Sequence, residues 1–219
     1  MYYIWLAAGI AGTVLQILLV AAMLRSGWRE YGVLFGYCVV LLVTSAPEAV
    51  GFLWPRYAAI PSTDYWVFDS IRQALLYVVV ISLIFSASEQ SAKRASIGRF
   101  LITGSVLFAA LSLYFTYNLG LNFWMTQFSR DLGFLAVILT LVLWAALLKH
   151  RRPDQTLLMV TGGIGIQMAG KAIGHALRQL SPSALTAGNL VIVLSHLLCL
   201  YVWLQAFLKP SKQPVAISE

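Results

Sequence analysis

The sequence predicts an all-α integral membrane protein, a bundle of seven transmembrane helices with its N-terminus outside and its C-terminus cytoplasmic. Three observations predict it. Of 219 residues, 60% are hydrophobic and only 11% charged, whereas a soluble domain carries about 25% charged residues. The mean hydropathy is +0.81. Seven apolar stretches in the chain reach the roughly 20 residues needed to cross a bilayer. A soluble globule, a disordered chain and a collagen-like chain are excluded.

The first span, 2–24, lacks a basic leader and a small-residue cleavage site, so it reads as an anchor rather than a signal peptide. The second, 32–54, carries Thr44, Ser45 and Glu48 around Pro47, which is expected to kink it. In the third, 65–88, helical spacing puts Asp69, Arg72, Gln73 and Tyr77 on one face. The fourth, 100–117, follows Lys93, Arg94 and Arg99. The fifth, 125–148, opens with Gln127, Arg130 and Asp131 on the face of Phe134. The sixth, 157–179, steps Gln167, Lys171, His175 and Arg178 down one face. The seventh, 187–208, carries Asn189 and His196. One domain, 1–208, and a short cytoplasmic tail, 209–219, complete the division.

Charge distribution gives the orientation. The net charge of +7 is concentrated in alternate loops: Arg25 and Arg29, then Lys93 to Arg99, then Lys149 to Arg152, then Lys209 and Lys212. Positive short loops mark the cytoplasmic side. The basic balance is therefore a topology signal, and no nucleic-acid partner is expected. Trp5, Trp54, Trp66 and Trp124 fall at the outer ends of the spans, where amphipathic rings prefer to sit. Cys38 and Cys199 both lie inside spans, as small core residues rather than a disulfide or a metal pair.

Several catalytic patterns fail on their residues. Gly165, Gly170 and Lys171 have the spacing of a phosphate-binding loop, but Ala172 replaces the magnesium-holding hydroxyl and the run lies inside an apolar helix. The glycines at 162, 163, 165, 170 and 174 are better explained by close helix packing, with Gly170 and Gly174 at small-xxx-small spacing. No HExxH, GxSxG, CxxC or DxD motif is present. A retinal protein needs a lysine in the seventh helix, and 187–208 has none.

What remains is a polar cluster. Ionisable groups inside a bilayer are costly and count as functional hypotheses by default. Counted at about 1.5 Å per residue, Asp69, Arg130 and His175 lie roughly 6–8 Å from the outer ends of the spans, Glu48 and Arg72 about 10 Å, and Lys171 and His196 about 12–14 Å. All fall in the outer half of a core about 30 Å thick. Five helices, the second, third, fifth, sixth and seventh, thus supply polar groups at one level. Three carboxylates (Glu48, Asp69, Asp131) face four fixed cations (Arg72, Arg130, Lys171, Arg178), which leaves one positive charge and suits a small anion or zwitterion.

The expected ligand-binding set is Glu48, Asp69, Arg72, Gln73, Arg130, Asp131, Gln167, Lys171, His175, Arg178 and His196. The competing explanations are a structural polar network for the deeper group and headgroup-level charges for Arg130, Asp131 and Arg178. No catalytic residue, metal site or cofactor is expected. A haem between His175 and His196 is the alternative, disfavoured because two histidines are a weak signal and the two lie at different depths.

The Phe128 to Phe134 run with Arg130, the glycine-rich sixth helix and the closing Tyr201 to Trp203 run resemble a family of small uncharacterised seven-helix membrane proteins of bacteria. The resemblance implies the architecture and a multi-pass protein of the inner membrane. It carries no activity and transfers no functional residue. A binding or sensory module is the first functional expectation. An accessory subunit anchoring a partner membrane protein is the second, then a small-solute or proton transporter, then an outer-leaflet enzyme.

Overall fold

A computed structural model describes residues 2–26, 28–53, 62–87, 94–116, 121–149 and 155–208. The described residues form seven α-helices: α1 (Tyr2–Ser26), α2 (Gly32–Leu53), α3 (Ser62–Ala87), α4 (Arg94–Thr116), α5 (Leu121–Lys149), α6 (Gln155–Leu180) and α7 (Leu185–Leu208). A 3-10 turn at Pro182–Ala184 joins the last two. The tail, 209–219, lies outside the described residues. Helix bounds fall close to the apolar spans, except that α4 begins at Arg94 rather than 100 and α5 at Leu121 rather than 125. Hydropathy marks the apolar run, while backbone hydrogen bonding carries the helix on through polar residues such as Ser96 and Arg99.

The helices run from 22 to 29 residues, or roughly 33–44 Å at 1.5 Å per residue. Among the described residues, four segments are both long and apolar enough to cross a membrane: Tyr3–Ser26, Val67–Ala87, Gln155–Arg178 and Leu185–Leu208. Shorter apolar stretches, Gly32–Ala46, Gly98–Ser112 and Gly133–Ala145, lie within α2, α4 and α5. The exterior is equally apolar. On α7, Leu190, Leu194, Leu198 and Tyr201 form an exposed stripe, as do Ile10, Val14 and Ile17 on α1. Soluble monomers rarely expose contiguous apolar patches above a few hundred Å². The fold is all-α and compatible with a multi-pass membrane protein.

Five helices close into a ring, in the order α1, α2, α3, α6, α7 and back to α1. The other two lie outside it, α5 against α3 and α6, and α4 against α5 and α3. The tightest pair is α6 with α7, and glycine is the reason. A Cβ at Gly170 would collide with Ser195, and one at Gly174 with Ile192 and the Gly188 carbonyl. At Gly188 it would meet the Gly174 carbonyl at 2.6 Å. Small residues let backbones approach in this way. Further along, a Cβ at Gly163 would sit 2.6 Å from the Trp203 indole nitrogen. Glycine there lets the indole reach across and donate to the Val160 carbonyl at 2.9 Å.

Trp203 belongs to a dense plug. Met23, Leu34, Val80, Ile164 and Leu200 are buried with it at one end of the ring. The Tyr37 ring stands edge-on to the indole, with centroids 6.0 Å apart and planes at 78°. The other end of the ring is hollow.

Candidate functional site

The hollow is a cavity of about 300 Å³ lined by residues of all five ring helices. Its position follows from helix register. At about 1.5 Å per residue, Gln16 on α1, Tyr37 on α2, Leu76 on α3 and Gln167 on α6 all lie roughly 20–24 Å from the helix ends at that side of the bundle. They make a floor at about mid-helix. Arg72, Lys171 and His196 come next, all within one turn of the same level, roughly 14–17 Å from those ends. Asp69 on α3 and Trp5, Ala8 and Gly9 on α1 line the cavity nearer those ends. The Tyr37 and Trp203 plug lies on the far side of this floor.

Fixed hydrogen bonds hold its wall. The Arg72 Nε donates to the Thr44 hydroxyl at 2.8 Å, and that hydroxyl donates to the Val40 carbonyl at 2.8 Å. This ties α3 to α2 and sets the guanidinium at one height. Lys171 Nζ donates to the Gln73 Oε1 at 3.2 Å and stands 3.6 Å from the Asp69 carboxylate. Gln73 is itself wedged between Met168, 3.7 Å from its amide nitrogen, and Gly133, where a Cβ would come within 3.1 Å of that nitrogen. On the opposite wall, Ser45 donates to Gln16 Oε1 at 2.7 Å, joining α2 to α1. Gln16, Gln73 and Gln167 are all buried within the protein.

His196 is different. Its ring lines the cavity within electrostatic reach of both Lys171 and Arg72, yet among the described residues no side chain hydrogen-bonds it. The cavity offers Lys171, Arg72, the imidazole and the Gln16 amide as donors, and one carboxylate, Asp69, beside Lys171. Among the described lining residues, two fixed cations oppose one anion.

The structure brings together six of the residues expected from sequence: Asp69, Arg72, Gln73, Gln167, Lys171 and His196. It places three others elsewhere. Asp131 accepts a hydrogen bond from Ser112 of α4 at 2.7 Å, so it serves the α4–α5 contact outside the ring. Arg178 bonds Asn189 at the exposed end of the α6–α7 pair. His175 sits one turn beyond Lys171, is exposed, and is not among the described lining residues. The side chains of Glu48 and Arg130 lie outside the described residues. Among the described residues no group of three or more His, Cys, Asp or Glu could hold a metal ion.

The sequence reading missed one whole wall. It counted α5 and left out α1, yet Trp5, Gly9, Gly12, Thr13 and Gln16 all line the cavity. The signal was present: Gln16 is a lone amide in an apolar helix, and Gly9, Gly12 and Gln16 repeat at helical spacing on one face. Compared with known proteins, the chain matches no family model, no curated protein and no solved structure.

Proposed function

We propose that this protein is a membrane-embedded binding module whose five-helix vestibule takes a small anion or zwitterion. The observation that carries the reading is the convergence of Arg72, Lys171 and His196 at one level of a cavity, with Asp69 a turn away beside Lys171. Half-buried ionisable groups within a span are costly and count first as functional, and a network needed for packing alone would leave no room at its centre. The plugged end favours binding over conduction. It also supports a reporting role, since Tyr37 forms part of the floor and touches Trp203 in the plug.

The bundle lies in a bacterial inner membrane with its N-terminus and the vestibule mouth outside. The alternation of basic loops and the family resemblance support that orientation and location. Native mass spectrometry of protein extracted in mild detergent tests the function. The expected result is a stoichiometric small-molecule mass that is lost in Lys171→Leu protein of unchanged fold. A co-purifying membrane protein in place of a small molecule would favour the accessory-subunit reading.

A further inference from the structure

Helix packing divides the bundle into two groups. Helices α6, α7 and α1 form one: glycine locks α6 to α7, and a Cβ at Gly12 of α1 would meet Leu197 of α7 at 3.5 Å. Helices α3, α4 and α5 form the other, with Tyr77 bonded to Ser105 of α4 and Gln73 resting on Gly133 of α5. Helix α2 joins both groups, through Ser45 to Gln16 on one side and Thr44 to Arg72 on the other. Helices α5 and α6 also meet where Thr140 lies against Gly165, about 9 Å along α6 from Lys171 toward the plug.

Between the groups runs the α3–α6 seam, where the backbones barely meet and side chains span the gap. The Lys171 ammonium donates to Gln73 at 3.2 Å and stands 3.6 Å from Asp69, while Met168 lies 3.7 Å from the Gln73 amide nitrogen. A lysine stem is flexible and its donors rotate, unlike the interlocked glycines of α6 and α7. The tie is also within reach of the cavity, since both its charged ends line it and are 24% and 30% exposed. At the same height, Ile71 of α3 and Ile173 of α6 are exposed. We infer that the α3–α6 seam is the moving part of the binding module and that Lys171 is its latch. Drawing the ammonium away from Gln73 and Asp69 lets the α3–α4–α5 group swing from α6 about the Thr140–Gly165 contact. The binding reading above supplies what draws it away, a ligand competing for the same ammonium.

The test uses the full chain in lipid nanodiscs, with spin labels on Ile71→Cys and Ile173→Cys across the seam. Cys38 and Cys199 are buried, and protein without the two added cysteines checks that they stay unlabelled. Distances are read by electron paramagnetic resonance. Lys171→Met should lengthen the distance by about 2 Å or more, the scale of helix shifts at switching interfaces. Lys171→Arg should keep it short. Gln73→Leu should lengthen it as well, which decides the matter even where Lys171→Met fails to fold. A control pair on the glycine-locked seam, Ile173→Cys with Leu190→Cys of α7, should not move.

Unchanged distances in the Lys171→Met and Gln73→Leu proteins would overturn the latch and leave the cavity and its binding reading as they stand. Equal lengthening of the control pair would overturn it too, as general loosening of the bundle. These distances are taken without ligand. Failure of the binding reading, seen as no bound mass in native mass spectrometry, is therefore a separate result.

Discussion

Trp203 joins α6 to α7 through one hydrogen bond and a large buried surface, and the two contributions separate by substitution. Trp203→Phe keeps most of the ring and loses the bond to Val160, a cost of about 1 kcal/mol. Trp203→Ala should cost about 3–5 kcal/mol, the range for deleting a large buried aromatic. Gly170→Leu acts in the opposite sense, by collision with Ser195, and should cost at least about 1–3 kcal/mol. Unfolding in detergent measures all three. The Gly170 and Gly174 pair was legible because its small-xxx-small spacing lies within one helix. The partnership of Gly163 with Trp203 was not, since the residue that uses the space is on another helix and carries no matching pattern.

At the level of elements, α3 works on two sides. Arg72 and Gln73 face the vestibule, and Tyr77 meets Ser105 of α4 at 2.7 Å. Helix α5 supports the ring from behind, and Asp131 binds α4. Asp131→Ala should therefore loosen the α4–α5 pair by about 1–3 kcal/mol, read as a lower thermal midpoint. Ligand affinity should stay within a factor of two (about 0.4 kcal/mol). Equal loss of ligand binding would put Asp131 back in the site. Hydropathy made the existence and approximate bounds of the helices readable. It could not say which face turns inward, because the outer face is as apolar as the core: exposed Ile10, Val14 and Ile17 alternate on α1 with buried Leu19 and Met23. Helical periodicity grouped Lys171 with Gln167, which both line the cavity, but it could not tell that Asp131 meets Ser112 of α4.

For the whole molecule, the orientation has a direct readout. A reporter active only in the cytoplasm, fused after Glu219, should be active, and a periplasm-dependent reporter at the same place should be silent. The reverse pattern would place the vestibule mouth inside. In the proposed orientation the cavity has an electrical consequence. Water filling it from outside would carry the outside potential down to Gln16 and Tyr37. The bilayer voltage then falls mainly across the plug, roughly 16 Å of helix beyond the floor. A charge moved through the plug works against nearly the full potential, about 2.3 kcal/mol per 100 mV. A charge arriving at Lys171 crosses almost none of it. Ligand affinity in proteoliposomes should thus be the same with and without an imposed diffusion potential, while any rearrangement that shifts charge through the Trp203 layer responds to voltage steeply.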